Sequence, residues 1–238
     1  MTSYKSYQNF KSWMPESFGQ TTIEESKYFE KEFQLVKSSN LNNMLVVEIG
    51  FGNGSFTSWA TKKGCDYRGF ELIPELVIVA TELGFKVYDS EIPFEEVVSD
   101  ESVDYVVAWD VFEHLDTDQI TLKFLECFKA LKPGGRLMAR VPSGDSPFSG
   151  PLQNGDFTHK TCLGSSKVRQ ISIATGFVVE SIRAPALPIW GMGLKTFCRR
   201  ALVTIAQKTF YPFLKNIFMG GGDVVLTQNM IFVLRKPY

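Results

Sequence analysis

The sequence lacks the features that would point to nucleic acid, a disulfide framework or a membrane span. It has 25 Lys and Arg against 26 Asp and Glu, so no overall charge favours nucleic acid. Its four cysteines are widely separated and form no C-x-x-C pair, which argues against a zinc ribbon and fits a reducing cytoplasm. It contains neither a secretory apolar segment near residue 1 nor a run of about 18 apolar residues. We therefore expect a cytoplasmic protein that does not bind nucleic acid.

What the chain does contain is a glycine-rich turn behind an apolar segment. Residues 44–49 have the length and β-branched content of a buried strand, and residues 55–63 have the character of a helix start. Three glycines lie between them at alternate positions, namely Gly50, Gly52 and Gly54. Glycine accepts backbone angles that other residues resist, and its missing Cβ lets a ligand approach the chain. The pattern predicts a strand, a tight turn and a helix around a ligand site.

The spacing of the glycines distinguishes between cofactors. Dinucleotide folds use G-x-G-x-x-G, which places a pyrophosphate at the helix N-terminus, so a nicotinamide-dependent dehydrogenase is disfavoured here. The G-x-G-x-G spacing, with Glu48 two positions before the first glycine, resembles motif I of the class I S-adenosylmethionine-dependent methyltransferases. This resemblance implies S-adenosylmethionine as the cofactor, with its methionine end at the turn.

Three later segments agree with this family in order and spacing. Glu71 ends a predicted second strand, where a carboxylate can accept hydrogen bonds from ribose hydroxyls. Asp89 follows a short third strand, either near the adenine or as a plain turn residue. Residues 131–142 are predicted to form a helix end, a Pro-Gly-Gly turn and a fifth strand, and they resemble the LKPGG segment of the family. The resemblance implies cofactor contacts at Glu48, Gly50, Phe51, Gly52, Gly54, Glu71, Leu72, Asp89, Ser90 and Asp110.

The resemblance also implies the fold class and the arrangement of the chain. We expect an α/β, Rossmann-like fold with a mostly parallel seven-stranded sheet, an antiparallel last strand and helices on both faces. An aromatic and helical cover is predicted over residues 1–40, and the methyltransferase domain over 41–238. Residues 184–223 form a helical insertion between the last two strands. Its basic, apolar stretch 194–218 is expected to be a packed lid, a homodimer face or a peripheral membrane contact.

Candidate catalytic residues follow the fourth and fifth strands. The two histidines of the chain, His114 and His159, lie in these positions, and Asp110 comes directly after the fourth strand. One hypothesis makes either histidine the general base of an O-methylation. In a second hypothesis, Asp110, Glu113 and both histidines bind a divalent metal. Their D-x-x-E-H pattern resembles the E-x-x-E-H metal site of small-RNA 2′-O-methyltransferases and the related segment of ubiquinone-pathway O-methyltransferases. In a third, Glu113 and His114 only cap and pack the following helix; we assign no metal ligand from the sequence.

The acceptor is the least determined part of the prediction. The Gly-, Pro- and Ser-rich loop 142–159, which ends in GDFTH, is similar to loops of bacterial methyltransferases associated with surface-polysaccharide and lipopolysaccharide pathways. This favours O-methylation of a small or carbohydrate-type acceptor in polysaccharide biosynthesis. The apolar insertion favours a lipid-like or quinone-type acceptor instead. A non-catalytic protein that binds S-adenosylmethionine is a further alternative, because binding and chemistry use different residues.

Overall fold

A computed structural model describes residue 13 and residues 15–38, 40–191, 193–220 and 222–238. Its seven strands form one sheet in the order β3-β2-β1-β4-β5-β7-β6. The strands are β1 Leu45–Ile49, β2 Asp66–Glu71, β3 Val87–Asp89, β4 Val103–Trp109, β5 Leu131–Pro142, β6 Val178–Arg183 and β7 Asn229–Arg235. The last strand runs antiparallel to both of its neighbours, and the pairs among β1 to β5 are parallel. The predicted α/β fold with an antiparallel last strand is confirmed.

Helices connect the strands on both sides of the sheet. The α-helices of the described residues are Ile23–Leu35, Ser55–Lys62, Pro74–Glu82, Phe94–Val97, Thr117–Ala130, Gly150–Asn154, Ser165–Thr175 and Leu194–Phe218. The sequence Thr22-Ile-Glu-Glu25 predicts a capping box, and the helix Ile23–Leu35 begins there. The Thr22 hydroxyl accepts from the Glu25 amide at 3.1 Å, and the Glu25 carboxylate accepts from the Thr22 amide at 2.8 Å. Such reciprocal bonds satisfy two amide donors that a helix start leaves exposed.

The two faces of the sheet are covered by apolar side chains from these helices. On one face, the helix Ile23–Leu35 buries Phe29 and Phe33 against Phe56 and Trp59 of the helix that follows the glycine turn. Aromatic pairs in such edge-to-face and offset contacts add stability beyond the area they bury. The described part of the predicted N-terminal cover is therefore part of the core. Residues 1–12, with Tyr4, Tyr7 and Phe10, lie outside the described residues.

Two local predictions were wrong. Residues 131–135 were predicted as a helix end and a turn, but they belong to β5. Leu131 already pairs with Val103, and the register then shifts, so that Arg136 pairs with Tyr105 and both glycines lie in the irregular part of the strand. The sequence also predicts that Ser165 or Ser166 caps the helix that ends at Thr175, and this cap is absent. Gly164 is the N-cap residue, and the Ser165 hydroxyl instead donates to the Asp223 carbonyl at 3.1 Å.

The segment between β6 and β7 contains a single 25-residue helix, Leu194–Phe218, which we call the insertion helix. Carboxylates of the helix Ile23–Leu35 hold the start of this segment. Glu32 accepts from the Ala186 amide at 2.6 Å and from Arg183 at 2.5 Å, and Glu24 pairs with Arg200. Among the described residues, no helix has the length and apolar character needed to cross a membrane.

Candidate active site

The glycine turn follows β1 directly and has the backbone that its sequence predicts. Gly50, Gly52 and Gly54 have φ values of +69°, +53° and +74°, a region that L side chains rarely adopt. Close packing adds a second requirement, because a Cβ on Gly54 would lie 2.5 Å from the Phe18 ring. A Cβ on Gly52 would lie 3.0 Å from the Trp13 ring. The turn therefore needs glycine both for its conformation and for the aromatic side chains that cover it.

Glu71 joins the end of β2 to the glycine turn. Its carboxylate accepts hydrogen bonds from the Gly52 amide at 2.9 Å, the Leu72 amide at 2.7 Å and the Ile73 amide at 3.1 Å. Burial raises the pKa of Glu71, and the three amide bonds oppose that rise. The side chain is thus fixed at the mouth of the turn, and its predicted contact with the ribose stays a prediction.

Asp89 lies beside Glu71 on the neighbouring strand, at the paired position of β3. Its carboxylate accepts from the Glu91 amide at 2.8 Å, which is the turn role that the sequence left open. The Ser90 amide donates to the Glu71 carbonyl at 2.9 Å. The adenine contacts of Asp89 and Ser90 stay predictions, as does the contact of Leu72, whose side chain is exposed.

Glu48 lies beneath the turn and is buried. Its carboxylate accepts from the Tyr67 hydroxyl at 2.5 Å and from the Thr57 hydroxyl at 3.1 Å. Burial raises the pKa of Glu48 to about 8, although these two hydrogen bonds oppose the rise. Glu48 therefore ties β1 to β2 and to the helix Ser55–Lys62. Its predicted contact with the methionine end stays a prediction, as does that of the buried Phe51, which packs against Phe18.

A cavity of about 270 Å³ opens at the carboxyl ends of β4 and β5, the edge where open α/β sheets bind ligands. It is lined by Asp110, Glu113, His114, Pro142, Pro151, Leu152, Gly155, Asp156, His159 and Asn229. The two imidazoles meet edge to face, with ring centroids 4.6 Å apart. The structure thus brings together the two histidines that sequence reasoning had assigned to one pocket.

The hydrogen bonds around His114 determine its tautomer. The Thr158 hydroxyl donates its only proton to the Asp156 carboxylate at 2.6 Å. The same oxygen lies 2.8 Å from Nδ1 of His114, so Nδ1 must carry the proton and donate to it. The neutral His114 ring therefore has its lone pair on Nε2.

The same reasoning applies to His159. Its Nδ1 lies 3.1 Å from the Gln153 carbonyl, which can only accept, so Nδ1 donates and the lone pair is again on Nε2. Nε2 of His159 lies 4.0 Å from Oε1 of Glu113 and 3.9 Å from Oδ2 of Asp156. Each imidazole is therefore oriented by one nitrogen and has a basic second nitrogen.

Glu113 connects the turn after β4 to the loop after β5. Its carbonyl accepts from the Lys160 amide at 2.8 Å and from the Thr161 amide at 3.0 Å, and its side chain is 1% exposed. These bonds hold the turn that carries His114 close to the loop that carries His159, although the two histidines are 45 positions apart in the sequence (159 − 114). Glu113, His114 and His159 each offer one ligand atom within 4.8 Å of the others.

Asp110 lines the cavity and also forms a two-point ion pair with an arginine. Both of its carboxylate oxygens accept from Arg140 near the end of β5, one of them from Nε at 2.9 Å. Although burial disfavours its charge, Asp110 raises the pKa of Arg140 above its usual value, and the guanidinium lies over the Tyr28 ring. Sequence reasoning missed Arg140, a charged residue near the end of a buried strand. The catalytic and cofactor roles of Asp110 stay predictions, and Arg140 keeps it out of the Glu113 cluster.

The site has the features that S-adenosylmethionine requires, and that cofactor supplies a methyl group on a positively charged sulfur. The left-handed glycine turn has three positions without side chains of their own, and Glu71 offers a buried carboxylate at the end of β2. The histidine cavity lies at the same edge of the sheet, because parallel strands end together.

Comparison with known proteins agrees with this assignment. Residues 25–181 match the family described as methyltransferase domain. No curated protein matches the sequence. Three solved structures share the fold, among many others. A SAM-dependent methyltransferase from Archaeoglobus fulgidus is 16% identical with a TM-score of 0.64, covering 98% of this chain and 100% of its own.

The other two structures are similar at lower TM-scores. An S-adenosylmethionine-dependent methyltransferase from Mesorhizobium loti is 13% identical with a TM-score of 0.56, covering 87% of this chain and 97% of its own. The Burkholderia thailandensis 1,6-didemethyltoxoflavin-N1-methyltransferase, solved with its substrate and S-adenosylhomocysteine, is 13% identical with a TM-score of 0.58, covering 100% of this chain and 85% of its own. The family match, the fold and the glycine turn together show that the chain belongs to the class I S-adenosylmethionine-dependent methyltransferases.

Proposed function

We propose that this enzyme transfers the methyl group to a hydroxyl oxygen of a small or carbohydrate-type acceptor. The observation that carries the proposal is the pair of imidazoles, each with its lone pair on Nε2, in a cavity at the same edge of the sheet as the glycine turn. A hydroxyl must lose its proton as it attacks, whereas a neutral amine can attack first and lose its proton afterwards. An imidazole is suited to accept a proton near neutral pH.

In the proposed arrangement, the cofactor and the acceptor bind at different places along the same edge of the sheet. The glycine turn and Glu71 hold the cofactor, and the cavity holds the acceptor oxygen in line with the methyl group. Such alignment can supply about 7–11 kcal/mol of the barrier reduction. The hydroxyl proton leaves toward the cluster of Glu113, His114 and His159, while the oxygen forms its bond to the methyl carbon.

The size and composition of the cavity support a small polar acceptor. Its volume of about 270 Å³ lies just below the common range for ligand pockets, about 300–1,000 Å³. The loop after β5 contributes Asp156 and His159, and this loop carries the resemblance to surface-polysaccharide methyltransferases. We propose a single sugar unit of a glycan precursor as the acceptor.

The test uses isotopically labelled S-adenosylmethionine and a panel of nucleotide sugars, free sugars, catechols and amines. We expect a methyl ether, identified by the carbon-13 shift of an oxygen-bound methyl group. A methylated nitrogen or carbon as the only product would overturn the proposal. The Glu71→Gln variant serves as the control for cofactor-dependent turnover.

A lipid-like acceptor at a membrane surface is a second candidate, favoured by the insertion helix. This helix has no Asp or Glu. It exposes apolar side chains along its length, including Leu202, Phe210, Phe213 and Ile217, and the cations Lys195, Arg199 and Lys208 are exposed as well. Apolar and basic surfaces together can bind anionic bilayers.

Flotation with anionic and neutral vesicles tests this candidate. Membrane binding by the insertion helix predicts binding to anionic vesicles, at least a threefold loss in the double variant Phe213→Ser and Ile217→Ser, and turnover of detergent-solubilised lipid but not of nucleotide sugars. The matched control is Leu122→Ser, an exposed apolar residue on another helix. Equal partition of all proteins would contradict it, and a concentration-dependent dimer lost in the double variant would assign the helix to a homodimer face instead.

A further inference from the structure

We infer that Glu113, His114 and His159 form a binding site for a first-row transition-metal dication, and that this ion takes the acceptor hydroxyl as a further ligand. The second part rests on the proposed function, whereas the binding site itself does not. The inference starts from the distances between the three side chains and from the protons that their hydrogen bonds fix.

The ligand atoms are close enough to converge on one ion. One oxygen of Glu113 and one nitrogen from each imidazole lie within 4.8 Å of one another, and Nε2 of His159 is 4.0 Å from Oε1 of Glu113. An ion about 2.0–2.1 Å from two nitrogens in a tetrahedral site holds them about 3.3 Å apart. Small rotations of three side chains, on the order of 1 Å, therefore complete the site.

The partners of the imidazoles are those of metal ligands. His114 donates from Nδ1 to Thr158, which donates to the Asp156 carboxylate, and His159 donates from Nδ1 to the Gln153 carbonyl. Metal-bound histidines usually donate their second N–H to a carboxylate or a carbonyl, which fixes the ring and directs the other lone pair at the ion. A general base needs one such imidazole, whereas this cavity orients two.

The charge of the proposed ligands is also suited to a dication. Glu113 places a carboxylate that is only 1% exposed beside the two imidazoles, and a carboxylate ligand would balance part of the charge of a dication. Asp110 does not belong to the ligand set, because Arg140 accounts for both of its oxygens.

The ligand types select the kind of ion. Two imidazoles and one carboxylate favour zinc, iron, cobalt or nickel, whereas magnesium and calcium prefer an all-oxygen set. Three protein ligands leave open positions, as in catalytic metal sites. An acceptor hydroxyl in one of these positions would ionise more easily.

The proposed reaction is balanced in atoms and charge. With an ion in this site, the imidazole lone pairs would be taken up as ligands, so the hydroxyl proton would pass to solvent water instead of to an imidazole. The acceptor oxygen would form its bond to the methyl carbon while the carbon–sulfur bond breaks, and the bonding pair would stay on sulfur to give S-adenosylhomocysteine. The ion is neither oxidised nor reduced.

The test measures metal binding by the chelator-treated, full-length protein, independently of activity. Cobalt(II) and zinc(II) are titrated by calorimetry, cobalt(II) is followed by its visible absorption spectrum, and magnesium(II) is the comparison ion. We expect one equivalent of cobalt or zinc to bind, and magnesium to bind at least 100-fold more weakly. His114→Gln and His159→Gln should each weaken binding at least 100-fold, and Thr158→Val about 10- to 100-fold by freeing the imidazole to turn.

Asp110→Asn is the matched control, since it removes a charge from the same cavity but no proposed ligand. It should keep metal affinity within about threefold. An unchanged circular-dichroism spectrum and a cooperative thermal unfolding transition will show that each variant is folded. Absence of stoichiometric cobalt binding, or equal affinity in the wild type and the double histidine variant, would overturn the metal site.

The failures of the two proposals are distinguishable. Formation of a methyl ether by protein that binds no metal overturns the metal site and leaves the proposed function intact. Stoichiometric metal binding together with a product methylated only on nitrogen overturns hydroxyl methylation and leaves the binding site intact.

Discussion

The two ends of the candidate site are built differently. The predicted cofactor end is mostly backbone, with three glycines in left-handed conformation and the Glu71 side chain held by three amides. The acceptor end consists of side chains, in which Thr158, Asp156 and the Gln153 carbonyl orient two imidazoles. The difference indicates that cofactor binding depends on local chain geometry, and acceptor chemistry on contacts between distant loops.

Substitution of a histidine should give the largest effect, and it should lower turnover without weakening cofactor binding. For His159→Ala we expect turnover to fall about a hundredfold or more, because a group that assists removal of the hydroxyl proton is lost. The affinity for S-adenosylhomocysteine, measured by calorimetry, should change less than twofold. Lys160→Ala, which alters an exposed neighbour, is the control. Unchanged turnover in His159→Ala would show that the cavity imidazole is structural.

Substitution of Glu71 should weaken cofactor binding and leave the histidine cavity unchanged. Glu71→Gln removes a charged acceptor of hydrogen bonds, and such a bond contributes about 1.5–3 kcal/mol. We therefore expect the affinity for S-adenosylhomocysteine to fall about 10- to 100-fold. Glu75→Gln, in the exposed first turn of the next helix, should leave the affinity unchanged. Equal affinities in both variants would remove Glu71 from the cofactor site.

The buried Glu48 should affect the stability of the protein, and its effect should depend on pH. Its pKa is raised from 4.5 to about 8 in the folded protein, so folding favours its protonated form. That stabilisation is complete below about pH 4.5 and is lost as the pH rises toward about 8. Because one pKa unit corresponds to about 1.4 kcal/mol, the loss is on the order of a few kcal/mol.

We expect Glu48→Gln to flatten the pH dependence between about pH 5 and 8 and to be more stable than the wild type at pH 8. Thermal unfolding across this range is the measurement. Glu71→Gln provides a comparison at a buried carboxylate held by amides. Parallel curves for Glu48→Gln and the wild type would mean that Glu48 does not titrate on unfolding.

Local sequence patterns predicted the structure of the glycine turn and of the strands beside it well. The glycine spacing, the strand before it and the carboxylate after β2 all lie within 27 positions, from 45 to 71. Conformational preference and hydrophobic pattern act over this range, which is why the turn and the capping box at Thr22 were predictable.

The acceptor end was predictable only in part. The sequence placed both histidines at one edge of the sheet, but it could not show that Thr158 fixes the tautomer of His114 from 44 positions away. Nor could it show that Arg140 binds both oxygens of Asp110 from 30 positions away. Such contacts depend on how loops pack, and no local pattern determines that.

The most direct test of the division between the two ends is an NMR titration of isotopically labelled protein with S-adenosylhomocysteine. The account predicts large amide shifts at Gly50, Gly52 and Leu72, with the imidazole signals of His114 and His159 nearly unchanged. A small hydroxyl acceptor added afterwards should shift those imidazole signals. Shifts centred on Glu113 and the two histidines at the first addition, with the glycine amides unmoved, would contradict the account.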